Sequence, residues 1–385
     1  MTDHPRRLLL LSGLGSTLGL AEGAARSGAD RAAGPGPRTL VFPRDFGSHP
    51  DQRTEWWYIT GHSRVGAAVQ VRNFGFQLTF FRVRVDSTQQ MASRFAARQL
   101  LFAHAAITDV QGRRFWHDQR IARQGFDVAA ASEQDTAIRL RDWSLVRQGG
   151  AYRARISTPD FDLKLTFTET QDVLLQGANG HSRKGPEPEQ ASTYYSQPQL
   201  AFEGELRIEG QRFAVLGDGA TNASADFTPN KGAAWLDHEW SDGLLHPAAV
   251  GWDWIGMNRF DGSALMAFQI RDKTGNALWD GGSFRHPKFR AGKAPYVFSR
   301  GEVIFQALRG WKSPLTQTTY PVEWLVRTPA DNYVLKALLD NQELDSRNST
   351  GAVYWEGLCD LFAGNQQHVG RGYLEMTGYA KPLVL

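Results

Sequence analysis

The sequence predicts an all-β protein built from antiparallel barrels or sandwiches, on three observations. Apolar residues occupy every second position from 74 to 80 and again from 161 to 167, a period of two that marks strands with one buried face. Turn residues such as Gly149-Gly150 and Asp261-Gly262 separate strand-like runs. Long helical periodicity is scarce, which argues against a parallel α/β sheet. Further strand-like runs lie at 100–108, 139–146, 152–158, 202–208, 264–271, 322–328 and 372–377.

The composition sets limits on the class of protein. The length of 385 residues suits two domains or one large β domain, because a domain usually takes about 100–200 residues. Hydrophobic residues make up 41% and charged residues 22%, as in an ordinary folded protein. The 12 Trp and 22 Phe can line a broad apolar cleft as well as fill a core. A net charge of +3 offers no basic footprint, so no nucleic-acid partner is expected.

The first 25 residues are typical of an export signal. Arg6-Arg7 precedes a run of leucines, and small residues follow from about position 21, as in a charged, then apolar, then cleavable segment. The paired arginines match the twin-arginine pattern, although the general route stays open. The apolar run is too short to cross a membrane, and no cysteine near the cleavage zone could carry a lipid anchor. We therefore expect an exported protein, periplasmic or extracellular, that is not a lipoprotein; residues 26–40 form a predicted linker.

The strand-rich part of the chain contains two similar halves. Residues 56–61 (WWYITG) open the first half and residues 252–256 (WDWIG) open the second, each before a strand-like run. A pair of aromatic residues lies late in each half, at 194–195 and 354–355. We interpret this pattern as a duplicated β-barrel; chance similarity between Trp-rich strands is the alternative.

The domain organisation follows from this repeat. We predict an N-terminal barrel domain over residues 41–246 and a C-terminal barrel domain over residues 247–385. Segments rich in Gly, Pro and Glu predict long surface loops at 176–199 and 217–233, inside the first domain.

Carboxylates cluster with tryptophans in three short segments, at 51–58, 234–241 and 251–254. A carboxyl group held against indole rings loses hydration, which raises its pKa and favours the protonated acid. Such an acid can protonate an alkene or a leaving group, and aromatic faces stabilise the cation that results. The alternative is that these acids pair with arginines while the tryptophans fill the core.

Other chemistries find little support. His238-Glu239 with His246 does not match the His-Glu-x-x-His pattern of a zinc site, so neither a metal nor another cofactor is expected. No Gly-x-Ser-x-Gly elbow is present. The single cysteine, Cys359, lies in a strand-like run and is expected to pack in the core; it excludes an internal disulfide.

Several longer runs resemble one protein family. The runs at 42–51, 55–61, 235–240, 250–254, 339–346, 354–357 and 370–375 are similar to the AttH family. That family is related to carotenoid 1,2-hydratase (hydroxyneurosporene synthase) and to fungal cyclases of the Diels–Alder type. The resemblance covers roughly the whole chain after the predicted linker. It implies two tandem lipocalin-like (calycin) antiparallel β-barrels, in agreement with the internal repeat.

The resemblance also implies site residues. In the carotenoid hydratase branch an aspartate protonates a terminal isoprene double bond, and water captures the tertiary cation; Asp237 matches that aspartate. His238 is expected to orient Asp237 or the water, and Glu239 completes the predicted catalytic set. The residues expected to bind the ligand are Glu55, Trp56, Trp57, Tyr58, Tyr194, Trp240, Trp252, Asp253 and Trp254.

Three functions follow as hypotheses. The first is an exported acid catalyst that binds a hydrophobic isoprenoid or lipid between two barrels and adds water to an alkene through Asp237. The second is a lipid carrier or accessory factor without catalysis, which would work with ABC transporter components, as the AttH branch implies. The export leader and the Asp-His-Glu-Trp motif place the chain in that branch, whose members are labelled predicted secreted hydrolases. A hydrolase ranks lowest, because no nucleophile–base pair is visible.

Overall fold

Alternating apolar residues form antiparallel strands throughout the computed structural model, which describes residues 38–66, 71–221, 223, 226–243, 245–286 and 295–383. The predicted export signal lies outside the described residues, and so does the predicted linker up to residue 37. Two short 3₁₀ helices, Arg44–Phe46 and Asp86–Thr88, accompany the strands. Within the described residues, no helix is both long and apolar enough to span a membrane.

The first sheet contains 14 strands of the described chain. They are β1 (Thr54–Val65), β2 (Arg72–Arg84), β3 (Gln99–Asp109), β4 (Arg114–Arg123), β5 (Ala129–Ala131), β6 (Ala137–Leu140), β7 (Trp143–Gln148), β8 (Ala151–Ser157), β9 (Phe161–Thr168), β10 (Leu174–Leu175), β11 (His181–Arg183), β12 (Ala191–Ile208), β13 (Gln211–Gly217) and β14 (Gly232–Ser241). The order is β4-β3-β2-β1-β14-β12-β9-β8-β7-β6-β5, and β10, β11 and β13 pair with β12. This sheet curls into a nearly closed barrel.

The second sheet contains ten strands of the described chain. They are β15 (Ala249–Arg259), β16 (Ala264–Asp272), β17 (Ala277–Arg285), β18 (Tyr296–Phe298), β19 (Ile304–Lys312), β20 (Thr319–Arg327), β21 (Asn332–Ala337), β22 (Glu343–Ser346), β23 (Ala352–Phe362) and β24 (His368–Met376). The order is β18-β17-β16-β15-β24-β23-β21-β20-β19, with β22 paired to β23. The predicted all-β class with tandem lipocalin-like barrels is confirmed. The connection between β14 and β15 contains the predicted domain boundary, which stays a prediction.

Each barrel has its own apolar core, because every second residue of a strand points inward. Trp57, Phe76 and Trp143 are among the fully buried residues of the first core, and Tyr320 and Trp355 are among those of the second. Cys359 packs in the second core, as expected. A third buried cluster lies between the barrels and contains rings from both sheets.

The strands at the contact between the barrels are buried on both faces. β14 has nine consecutive buried residues, and β1 and β16 have long buried runs as well. One face of these strands fills its own barrel, and the other face meets the opposite barrel. The contact therefore creates a second interior, separate from the two barrel cores.

Polar side chains fasten the barrels together. Gln199 lies at a bulge in β12 with a positive φ of 59°. Its amide nitrogen donates hydrogen bonds of 2.8 and 2.9 Å to the carbonyls of Arg259 and Ser263. Thr108 donates a 2.7 Å bond to Gln342 across the same contact. These bonds satisfy polar groups that the contact removes from water.

Gly204 allows the long strand β12 to pass closely between two neighbours. It pairs with Leu165 on β9 and with Val215 on β13, and its φ is 150°. A Cβ atom there would lie 2.0 Å from the carbonyl oxygen of Lys164. Only glycine fits without moving the backbone.

We expect Gly204→Ala to lower the free energy of unfolding by about 2 kcal/mol or more, since backbone must move to relieve the clash. Urea unfolding followed by tryptophan fluorescence measures this change. Gly210→Ala is the matched control: Gly210 also has a positive φ, but a Cβ there meets nothing within 4 Å, so a loss of about 1 kcal/mol is expected. Equal losses in the two variants would contradict the close-approach argument.

Candidate functional site

A cavity of about 530 Å³ lies between the two sheets. Strands of both barrels line it, so neither barrel forms the cavity alone. Aromatic rings make up much of its wall, and carboxyl groups interrupt them. The aromatic residues of the wall are Trp56, Tyr58, Phe81, Phe102, Tyr194, Trp252, Trp254, Phe268 and Tyr354, and the carboxylates are Glu55, Asp86, Asp237, Glu239, Glu356 and Glu375.

The alternation of β14 decides which predicted residues reach this cavity. Asp237 pairs with Tyr58 on β1, and Glu239 pairs with Trp56, and all four side chains line the cavity. His238 lies between them in sequence and therefore points the opposite way, into the first barrel. The structure thus separates the predicted catalytic residues into two environments.

Eight of the predicted site residues line the cavity and four do not. Those that line it are Glu55, Trp56, Tyr58, Tyr194, Asp237, Glu239, Trp252 and Trp254. Trp57, His238, Trp240 and Asp253 do not belong to the cavity wall.

Asp237 accepts three hydrogen bonds in a buried position. Trp235 Nε1 and Ser196 Oγ donate to Oδ1 at 2.7 and 2.5 Å, and the Tyr194 hydroxyl donates to Oδ2 at 2.7 Å. Trp254 Nε1 in turn donates to the Tyr194 oxygen at 3.2 Å, which joins β15 of the second sheet to the site. Residues of the first barrel thus hold the carboxyl group in one orientation, and Trp254 of the second barrel supports one of them.

Burial dominates the protonation of Asp237. The side chain is only 4% exposed, and this loss of hydration raises the pKa to about 7, against the opposing effect of the three hydrogen bonds. The charge of Glu239 also raises it. No cation forms an ion pair with Asp237 among the described residues. Near neutral pH the group therefore exists in both protonated and ionised forms.

Glu239, the second carboxylate on this face of β14, is paired. Lys184 Nζ lies 3.1 Å from its Oε1, and Ser192 donates a hydrogen bond to the same oxygen. Lys184 Nζ also lies over the rings of Tyr194 and Phe268, at 4.8 and 4.3 Å from their centroids. Glu239 therefore balances a cation at the cavity wall, while Asp237 does not.

His238 belongs to a buried polar cluster inside the first barrel. Its Nε2 lies 2.9 Å from Oε1 of Glu55 and its Nδ1 lies 2.9 Å from the Tyr195 hydroxyl. Burial lowers the pKa of His238 to about 4, so the ring is neutral at pH 7. Hence Nε2 donates to Glu55 and Nδ1 accepts from Tyr195. His238 is predicted to orient Asp237, but the two side chains make no contact. They lie on opposite faces of β14, because side chains alternate along the strand.

Glu55 borders the cavity, but its carboxylate is the centre of that cluster. Arg82 Nε donates to its Oε2 at 2.8 Å, and His49 Nδ1 lies 2.8 Å from its Oε1. Burial alone would raise the pKa of Glu55, but the hydrogen bonds from His238 and His49 outweigh it and hold the pKa well below its usual range. Glu55 is thus a buried, ionised and fully bonded carboxylate.

His49, Glu55 and His238 bring three potential metal ligands within 4.8 Å of one another. Each ligand atom is already used in a hydrogen bond within the cluster, and Arg82 already balances the Glu55 charge. A cation there would have to lie beside a buried guanidinium. The donor set therefore fits a structural cluster and does not fit a metal centre.

The remaining predicted residues that miss the cavity also pack in the barrels. The Trp57 ring stacks on His238 at 4.5 Å between centroids, and the Trp240 ring stacks on His49 at 3.7 Å. Asp253 lies inside the second barrel with Arg271 Nε 2.7 Å from its Oδ2. These side chains miss the cavity because only alternate residues of a strand point toward it. They pack inside the barrels instead and stabilise the strands that form the cavity wall.

Sequence reasoning missed several residues of the site. Ser196 lies in the predicted surface loop at 176–199. Residues 191–199 form the first half of β12, so this part of the prediction is wrong. Glu356 and Glu375 lie in runs that carry the family resemblance, but the sequence pattern assigns them no role. Both line the cavity on β23 and β24. The internal repeat was the available clue, since β24 holds the same place in the second sheet as β14 in the first.

The fold and the site define a class of protein: two lipocalin-like barrels that enclose an aromatic cavity with carboxyl groups at their contact. The AttH-like family model matches residues 33–379. The chain belongs to the AttH-like family.

Solved structures agree with this assignment. A protein described as an AttH from Nitrosomonas europaea has 42% sequence identity and a TM-score of 0.78, covering 90% of this chain and 99% of that one. Kievitone hydratase from Nectria haematococca has 13% identity and a TM-score of 0.65, covering 89% of this chain and 94% of its own; this second likeness shows the fold. A comparison with curated proteins found no match.

Glu55→Gln tests the buried cluster. The variant leaves Arg82 buried without its carboxylate, so we expect the free energy of unfolding to fall by about 3–5 kcal/mol. Urea unfolding at neutral pH measures the loss. Glu203→Gln is the matched control, because Glu203 is exposed on β12 and should change stability by less than about 0.5 kcal/mol. A loss no larger than that of the control would show that the ion pair contributes little.

Asp237→Asn tests the raised pKa. A carboxyl with a raised folded-state pKa binds its proton more tightly when folded, so wild-type stability falls as the pH rises from the unfolded pKa toward about 7. The asparagine variant lacks this loss. Its stability relative to wild type should therefore improve by roughly 3 kcal/mol between about pH 5 and about pH 8.

Urea unfolding of both proteins across that range measures the difference. Asp142→Asn, in the exposed turn between β6 and β7, is the control and should follow the wild-type curve. If the Asp237→Asn curve also runs parallel to wild type, the pKa of Asp237 is not raised.

Proposed function

We propose that this protein binds an apolar alkene, an isoprenoid or a similar lipid, in the cavity and adds water to its double bond, with Asp237 as the acid. The observation that carries the proposal is a buried carboxyl without a cation, facing an aromatic cavity, whose pKa is raised to about 7. A general acid works best when its pKa lies near the working pH.

The hydrogen bonds of Asp237 determine where its proton resides. Oδ1 accepts from Ser196 and from Trp235, and the indole N–H of Trp235 can only donate. Oδ2 has the single partner Tyr194, whose hydroxyl can accept as well as donate. The proton of the neutral acid therefore belongs on Oδ2.

The proposed reaction begins with transfer of that proton to one alkene carbon, which leaves a tertiary cation on the other carbon and a carboxylate on Asp237. The π electrons of the double bond form the new C–H bond. The rings of Tyr58, Trp252 and Trp254 line the cavity around this group, and aromatic faces stabilise a cation. Water then forms the C–O bond and releases one proton, which restores the acid form of Asp237, so the sum is alkene plus water to alcohol.

The cavity supports an apolar ligand of moderate size. Its volume of about 530 Å³ lies within the usual range of roughly 300–1,000 Å³ for small-molecule sites. Apolar surface predominates over polar surface in its wall, although many charged and hydroxyl-bearing side chains border it. That a solved protein named as a hydratase has the same fold supports hydration as a chemistry that this architecture accommodates.

The test uses the purified protein with a lipid extract of the host in water enriched in oxygen-18, analysed by mass spectrometry. We expect wild type to give a lipid that has gained one labelled water as an intact adduct. Asp237→Asn should lower this yield by at least about 100-fold, because the acid is removed, and should still retain lipid. Asp142→Asn should act like wild type.

The pH dependence gives a second measure in the same assay. Because the acid must be protonated, the rate should fall as the pH rises above about 7, toward tenfold per pH unit. A lipid that co-purifies unchanged with wild type and with Asp237→Asn would instead identify a carrier. That result would favour a partnership with an export system. Both this partnership and export itself stay predictions.

A further inference from the structure

A pair of carboxyl groups lies on the part of the cavity wall that the second barrel contributes. Glu356 on β23 and Glu375 on β24 are directly opposite each other in the antiparallel register, and both line the cavity. Side chains in such a pair have Cβ atoms about 4.5–5.5 Å apart. Glu356 is 2% exposed, while Glu375 is half-buried and closer to solvent.

No cation neutralises this pair among the described residues. Glu356 and Glu375 form no ion pair there, and Oε1 of Glu356 lacks a hydrogen bond of normal geometry. The neighbouring Arg371 is bound to Asp360 at 2.6 Å. The other ionisable or donating groups around the pair are Tyr58, Trp252, Tyr354, Tyr373, Asp237 and Glu239. The cations and the histidine lining the same cavity are Arg53, Arg82, Arg84, Lys184, Lys381 and His104.

Two adjacent carboxylates in this setting cannot both ionise easily. Burial raises the pKa of Glu356 well above its usual range, and the charge of Glu375 adds to this effect. Burial likewise raises the pKa of Glu375 to about 7, which a hydrogen bond from Trp252 partly opposes. The pair therefore holds about one proton near neutral pH.

The two carboxyl sites occupy equivalent places in the two sheets. Asp237 on β14 lies between Tyr58 on β1 and Ser196 on β12. Glu375 on β24 lies between Trp254 on β15 and Glu356 on β23. The two barrels thus present a carboxyl group at equivalent positions of the corresponding strands to the shared cavity.

Tyr58 connects the two sites. Its pKa is raised by burial and then by the charges of Glu356, Glu375 and Asp237, so all three carboxyl groups lie close to its hydroxyl. The hydroxyl lies near enough to Glu356 to lower the pKa of that group, yet it forms no hydrogen bond of normal geometry with a described residue. A hydroxyl group can both donate and accept a hydrogen bond, so Tyr58 is able to pass a proton between these carboxyl groups.

We infer that Glu375 is the general base of the same reaction, with Glu356 as the positioning residue that shares its proton. This inference rests on the proposed function. Asp237 gives a proton to the alkene, water attacks the cation from the side of the second barrel, and the Glu375 carboxylate takes the proton that the water loses. A proton then returns from Glu375 to the Asp237 carboxylate through Tyr58 or water, so the cycle is balanced.

The experiment separates protonation of the alkene from capture by water. Wild type, Glu375→Gln and Asp237→Asn are incubated with the host lipid extract, and with squalene as a defined isoprenoid alkene, in water enriched in both deuterium and oxygen-18. Glu203→Gln is the matched control on an exposed strand position. Far-ultraviolet circular dichroism and thermal unfolding confirm that each variant is folded.

We expect Glu375→Gln to lower the labelled adduct by at least about 100-fold while the recovered alkene gains deuterium. Asp237 can still protonate the double bond, and the cation then reverts by returning a proton to the Asp237 carboxylate. Asp237→Asn should give neither product, and Glu203→Gln should match wild type. An adduct formed by Glu375→Gln at the wild-type rate would overturn the base assignment and leave the proposed hydration intact. Absence of both products in wild type would overturn the hydration proposal and this inference with it.

The pH dependence of the Glu356→Gln variant tests whether Glu356 acts on Glu375. A purely structural role of Glu356 would leave that pH dependence unchanged. The base must be ionised, so the wild-type rate should fall as the pH drops below about 7. Glu356 holds its proton more tightly than Glu375, and sharing that proton favours the ionised form of Glu375. An amide is a weaker donor than a carboxylic acid, so this low-pH limb should move to higher pH while hydration persists. A limb that stays in place in Glu356→Gln would contradict the shared proton.

Discussion

The alternation of side chains along a β-strand that is buried on both faces is the constraint on which the rest of this structure depends. On β14, Asp237 and Glu239 face the cavity between the barrels, while His238 faces the first barrel. One strand therefore supplies part of the cavity wall on one side and a structural cluster on the other. Such an arrangement requires a second barrel, because in a single barrel the outer face of the strand would meet water.

The two environments give buried carboxylates opposite properties. Glu55 has a guanidinium and two imidazoles as partners, and its pKa lies below the usual range. Asp237 is buried to a similar degree but has only neutral donors, and its pKa lies near 7. Burial opposes ionisation in both cases, and the presence of a cation decides the outcome. The first arrangement stabilises a barrel, and the second supplies an acid.

The cavity depends on both halves of the chain for its chemistry as well as its shape. Trp254 of the second sheet orients Tyr194 of the first, and Tyr194 holds Asp237. The facing wall carries Glu356 and Glu375. The duplication thus provides two carboxyl sites at equivalent strand positions, as the two proton transfers of the proposed hydration require.

The sequence by itself determined the β class, the repeat and the importance of the segments around Trp56, Asp237 and Trp252, because these depend on local alternation and composition. The tertiary structure decided which side chains of those segments meet. Asp237 acquires Tyr58 and Ser196 from strands remote in sequence, and Glu375 acquires Glu356 through the pairing of β23 with β24. The alternation of side chains along β14 and β15 directs His238 and Asp253 into the barrels. Exposure to water and pairing with a cation decide whether a carboxyl group is protonated. Both depend on neighbours that only the closed barrels bring together.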